Sequence, residues 1–318
     1  MQSQQFTAVN ASLSSSRSTP KRRTDSLCSQ VKARLRAGDV FLWDQEMSRL
    51  LTDTAWQELS ERGFVPAEYG TERVLSSNAS AERRVIATVA IPLLNSTSAL
   101  SVELLGDEGS RSYSASGVRF YSAEEILNTN VLNCLSDAIG VLSRTPNLTL
   151  LIVALIRSLH LIRPEREECD VSFSEPRLPF SAFVSVPGRR VHDDALRVAE
   201  GILHEAMHLH LSLIERVVRL VEFTECRYYS PWRDELRSAQ GVLHAIYVFR
   251  VIAYFWRTVK AMPVVSEERN YIETRLVQIT EQLEQVRSFS ACEYLTDDGR
   301  WLAQQLLDPD RWCDTELS

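Results

Sequence analysis

The sequence predicts a mainly α, α-rich α+β fold, a helical domain with a short β-hairpin just before its most informative helix. Two observations predict the helices. Apolar residues recur at helical spacing over 39–63, 123–162, 192–220 and about 235–260, and 44% hydrophobic against 24% charged residues is the composition of a chain that buries a sizeable core. A third predicts the hairpin: polar and apolar residues alternate around prolines from Asp170 to Val186.

In chain order, residues 1–38 read as a disordered basic tail, Ser- and Gln-rich at the start and poor in aromatics. This segment carries seven basic side chains against one acidic, Asp25, so the remaining body stands at −13 within a total of −7. Residues 39–130 form an N-terminal mixed, helical region, with peptide docking as one assignment. Phe41, Leu42, Met47, Leu50, Leu51, Trp56 and Leu59 set its amphipathic helix. From 84 to 122, β-branched runs alternate with Ser/Gly-rich stretches, so strand, helix and loop all stay open.

Residues 131–318 form the helical metal-binding catalytic domain. Helices are expected over 123–162 with a break around Thr145, Pro146 and Asn147, and Pro164 closes that unit. After the hairpin, Asp193 and Asp194 suit the N-terminus of a helix running to about Leu220. A break through Cys226–Arg233 precedes a second long helix over 235–260. Helices at 266–288 and 298–307 follow.

The acidic body excludes general nucleic-acid binding, which needs a basic face. No stretch reaches the roughly 20 uninterrupted apolar residues of a membrane span, and no secretory h-region precedes the fold. Six cysteines, none in a CxxC pair, fit reduced thiols in a cytoplasmic protein rather than a disulfide framework.

The chemistry lies in Gly201-Ile-Leu-His-Glu-Ala-Met-His-Leu-His210, which contains HExxH as His204, Glu205 and His208. Residues four apart on a helix share a face, so both imidazoles can grip one cation, with Glu205 beside it. His210 points away, to a surface or interface. Glu200, one turn before His204, is either a support for the ligands or a solvated carboxylate. A metzincin is excluded, because its third histidine would fall at Ile214. The third ligand is then His244, or a carboxylate such as Glu235. Arg233 and Arg237 stand close by in sequence and offer the bidentate guanidinium that a dicarboxylate requires.

The segments HDDALRVAEGILHEAMHLHLSLIE (192–215) and YSPWRDELRSAQGVLHAIYVFRVIAYFW (229–256), with FSEPRLPFSAFVSVP upstream, resemble the HExxH-containing peptide-modification proteins found beside precursors of ribosomally made peptide natural products. The resemblance covers about residues 130–260. It implies a peptide β-hydroxylase dependent on iron(II), 2-oxoglutarate and O2, with His204, His208 and the distal His244 on the metal and Glu205 as an orienting carboxylate. Arg233 falls in the SPWR element. Arg237 is followed by Ser238 where the family has proline, which touches only the local turn. The implied partners are a precursor peptide and other peptide-maturation enzymes.

Two other readings stand beside it. In a zinc metallopeptidase or amidohydrolase, Glu205 acts as general base on a zinc-activated water. In a non-catalytic reading the chain is a peptide-binding partner, with the tail or the hairpin as its docking surface.

Overall fold

A computed structural model describes residues 20–42, 45–61, 83–93, 97–115, 117–166, 170–174, 178, 180–188, 193–309 and 311. The described residues are 58% helical around a mixed six-stranded sheet, an α-rich α+β arrangement. Residues 1–19, His192, and Glu175, Pro176 and Arg177 of the expected hairpin lie outside the described residues.

Two helices, α1 (Pro20–Arg36) and α2 (Gln45–Glu61), precede strands β1 (Arg83–Pro92) and β2 (Thr97–Leu105). After α3 (Asp107–Ser114) and β3 (Arg119–Phe120) come α4 (Ala123–Asn128), α5 (Val131–Leu142) and α6 (Pro146–Leu155). Strands β4 (Ser158–Arg163), β5 (Ser172–Phe173) and β6 (Ser181–Ser185) lead into α7 (Asp194–Val217). A small ribbon, β7 (Arg227–Ser230) and β8 (Glu235–Ser238), separates α7 from α8 (Ala239–Lys260). Then follow α9 (Ser266–Gln285) and α10 (Asp297–Leu307).

The main sheet runs β1-β2-β4-β6-β5, with β3 paired antiparallel to the end of β4. The pairs β2–β4 and β4–β6 are parallel, and the outer pairs are antiparallel. Strand β4 is buried over Ser158–Ile162, as a central parallel strand must be when both faces are covered. One face, through Leu159, Leu161, Ala182 and Val184, joins the principal core. The alternate residues Ile162 and Phe183 join a smaller cluster, where Phe183 stacks on Phe173 at 4.4 Å and on His160 at 4.6 Å. α7 packs on β6 and β5 and against α5, α6 and α8. The approach to the sheet depends on Gly201, since a Cβ there would lie 3.2 Å from Val184 Cγ1. One turn later comes His204.

The tail expected over 1–38 is a helix from Pro20 onward. Leu27, Val31 and Leu35, spaced four apart, form a buried stripe, and α1 packs on α7, α2 and α10. Its six basic residues obscure that stripe in composition. The division at residue 130 falls inside one fold, because β2 pairs with β4 and one core extends from Leu27 to Leu307. Residues 158–162, expected as helix, are strand β4. Ile156 already has an extended backbone, which ends α6 and starts a run buried on both faces. The segment expected to begin a helix at Glu235 is strand β8, and α8 begins only after Ser238, whose hydroxyl accepts from the Gly241 N–H as an N-cap. One described helix, α8, is long and apolar enough to cross a membrane, and 72% of its apolar window is buried inside the fold.

Candidate metal and anion site

α7 and α8 lie side by side and bring His204, His208 and His244 into one row. Nε2 of His204 and Nε2 of His208 are 3.1 Å apart. Two nitrogens in adjacent positions on one ion, each about 2.1 Å from it, would be separated by about 3.0 Å. This pair therefore fits a metal. Burial lowers both imidazoles, His204 to about 4 and His208 well below its ordinary value, with Arg233 adding to the effect on each. Both rings are thus neutral and keep lone pairs available near neutral pH.

His244 reaches the same cluster but from its other side. Its Nδ1 lies 3.2 Å from Nδ1 of His208, not from the nitrogen that faces His204, and its Nε2 lies 2.9 Å from Glu215 Oε2. The three rings meet in series and their nitrogens do not converge on a point. Among the described residues, no group of three or more His, Cys, Asp or Glu side chains is arranged to hold a metal ion. Two of the three expected ligands fit one; His244, as oriented, does not.

Glu205 is buried, and Oε1 accepts a 2.7 Å hydrogen bond from Ser172 of β5. Burial raises its carboxyl to about 7, against the opposing effects of Ser172, Ser174 and Arg233. Its Oε1 stands 3.9 Å from His204 Nε2, a contact with a neutral ring rather than an ion pair.

The histidines lie on a cavity of about 560 Å3 between α7, α8, α9 and the ribbon. Four arginines line it, Arg197, Arg233, Arg237 and Arg275, and Trp232 stacks flat on Phe249 at 5.0 Å and 2° to form an aromatic wall. Three of the arginines have carboxylate partners: Arg197 with Asp170, Arg237 with Glu235, and Arg275 with Glu200. Arg233 has no carboxylate partner among the described residues, so its charge is available to an anion.

The residues singled out in the sequence are placed as follows. His204, His208, Arg233 and Arg237 all line the cavity, and Glu205 lies behind His204. Arg237 does so from strand β8, in the segment expected to begin the second long helix. Glu235 is on the ribbon, exposed and bound to Arg237, and does not join the histidines. His210 is fully buried, not at a surface, and its Nδ1 lies 2.8 Å from Tyr247 Oη between α7 and α8. Glu200 is neither solvated nor in contact with the histidine row; it holds Arg275 and Trp256.

Sequence reasoning missed Glu215, Arg197, Arg275, Ser172 and Trp232. Glu215 was within reach, since it follows His208 by two helical turns on the same face. Arg275 and Ser172 arrive from α9 and β5 by tertiary packing alone, and no local pattern marks them. No protein-family model matches the chain, and no curated protein sequence matches it.

Proposed function

We propose that the chain is an iron(II)- and 2-oxoglutarate-dependent hydroxylase acting on the β-carbon of a side chain in a ribosomally made precursor peptide, and that it works in the cytoplasm. The observation that carries this reading is the facing pair of neutral histidine nitrogens, His204 Nε2 and His208 Nε2, on a cavity lined by Arg233, which has no carboxylate ion-pair partner among the described residues. His204 and His208 would hold the metal. Iron(II) with 2-oxoglutarate and O2 supplies the oxidising power for C–H hydroxylation.

The chain's own residues bind and orient. Arg233 takes the dicarboxylate through a charge-assisted pair, and Arg237, held by Glu235, is the weaker choice. Trp232 and Phe249 exclude water beside the histidines. The β5–β6 strand pair preceding α7, the proposed counterpart of the hairpin, forms the wall along which the peptide lies. Ser172 of that wall keeps the Glu205 carboxyl turned toward His204.

A zinc hydrolase is the second reading, favoured by one observation: Glu205, raised to about 7, has the proton affinity of a general base at neutral pH.

Co-expression with a small peptide encoded beside the gene, followed by intact mass measurement, separates the readings. A gain of one oxygen that is lost with His204→Ala is the expected result. Cleavage of a peptide bond replaces the hydroxylase with the hydrolase, and an unchanged mass with tight peptide binding leaves a non-catalytic partner.

A further inference from the structure

Two turns beyond His208 on α7 stands Glu215, and on α8 Gln240 precedes His244 by one turn, so the four side chains meet across the paired helices. Glu215 Oε2 accepts a 2.7 Å hydrogen bond from Gln240 Nε2, and the same oxygen lies 2.9 Å from His244 Nε2. From His244 the line continues through the Nδ1–Nδ1 contact of 3.2 Å to His208, and through the Nε2–Nε2 contact of 3.1 Å to His204. One carboxylate and three imidazoles thus form an unbroken row.

Hydrogen-bond inventory gives the row a direction. A carboxylate has no proton to donate, and a neutral imidazole has one N–H and one lone pair. A neutral His244 donates from Nε2 to Glu215, which makes its Nδ1 an acceptor. The facing Nδ1 of His208 must then carry the hydrogen, and Nε2 of His208 is left bare. At His208 itself burial acts first against protonation, followed by the neighbouring His204 and His244 and then by Arg233 and Arg237.

We propose that Glu215, acting through His244, is the positioning residue that fixes His208 as its Nδ1–H tautomer and presents the bare Nε2 lone pair toward His204. His244 is accordingly an orienting group and not the third metal ligand that the family resemblance implies. A ligating histidine whose second nitrogen donates to such a partner is held in one ring orientation and made more basic. The consequence for metal binding rests on the proposed function, whereas the tautomer does not.

The test begins with metal-free protein labelled with 15N in histidine, observed by NMR at pH 8, with His208 assigned from a His208→Gln spectrum. Wild type should show His208 protonated on Nδ1. Glu215→Leu should give a mixture of tautomers, and Glu215→Gln, which keeps size and a carbonyl acceptor for His244, should restore the single form. A proton on Nε2 of His208 in wild type, or a Glu215→Leu spectrum identical to wild type, overturns the proposal.

The second measurement is titration with Co(II), followed by pulsed EPR of the Cu(II)-loaded protein to count bound histidines. Two histidine nitrogens in both wild type and His244→Ala, with affinity reduced about 10- to 100-fold in Glu215→Leu, support it. Three nitrogens in wild type falling to two in His244→Ala make His244 a ligand and overturn it. Should wild type bind no metal while Glu215→Leu still scrambles the tautomer, the hydroxylase reading fails and the positioning role stands.

Discussion

Glu200 on α7 and Arg275 on α9 are bound through two nitrogens, with Nη2 at 2.7 Å and Nε at 2.8 Å from one carboxylate oxygen, while the second oxygen accepts 2.8 Å from Trp256 Nε1. That carboxylate thus ties α9, through Arg275, and α8, through Trp256, to α7 beside the cavity. The guanidinium also lies over the Phe249 ring at 5.5 Å.

Removing one member strands the other. With side chains 12% and 21% exposed, Glu200→Leu should lower unfolding free energy by about 2–3 kcal/mol, below the roughly 3–5 kcal/mol of a fully buried pair. Adding Arg275→Leu should return part of that loss. Urea denaturation of the single and double variants checks both, and equal losses from the two would deny that the stranded charge is the cause.

Helix α1 should be needed for the fold although its composition reads as a tail. Deleting residues 1–19 should leave the urea midpoint unchanged. Deleting 1–36 removes Leu27, Val31 and Leu35 from the core and should lower stability by at least about 3 kcal/mol. An unchanged midpoint for the longer deletion would detach α1 from the core.

Two glycines should respond oppositely to alanine. A Cβ at Gly299 would stand 1.9 Å from the Leu220 carbonyl oxygen, so Gly299→Ala must separate α10 from the chain after α7 and should destabilise by about 2–3 kcal/mol. Gly140 is exposed on α5, and a methyl group added there would meet nothing within 4 Å, so Gly140→Ala should gain about 0.5–1 kcal/mol. Thermal unfolding of both variants under one condition settles the signs.

Acid should act on the fold through His210. Burial lowers its folded value to about 3, whereas the unfolded imidazole titrates near its ordinary 6.5. Between those values the unfolded chain binds a proton that the folded chain refuses, so stability is complete above about pH 6.5 and falls as pH drops toward 3. His210→Phe should flatten the stability curve in that window by about 1.4 kcal/mol per pH unit. Parallel curves for variant and wild type would remove His210 as a contributor.

If Arg233 takes the keto-acid, Arg233→Ala should raise the 2-oxoglutarate concentration for half-maximal activity by about 10- to 100-fold, while Arg237→Ala should change it less. A larger effect at Arg237 would exchange their roles.

What was legible in the sequence was periodic. The α7 helix and its HExxH face follow from spacing, as does most of α8, because apolar positions recur every three or four residues. Strand β4 was illegible for a physical reason: a strand buried on both faces loses its alternation, and Ser-Leu-His-Leu-Ile reads as well on a helix. The ribbon β7–β8 hid for the converse reason, since it is short and its exposed Tyr229 and Leu236 look like core residues. His244 is legible as a member of the cluster, but which of its nitrogens faces His208 depends on Glu215, and tautomers have no sequence signature.

The packing of α1 against α7 and α10 also orders events in synthesis. Lys32 and Arg36 both meet Asp298, a residue translated more than 250 positions later. On a ribosome, α1 emerges long before either partner and must wait, its apolar stripe unsheltered, until the distal helix is released. The interval makes this stripe a natural point of attachment for a chaperone, and delays the closing of the fold until α10 has emerged.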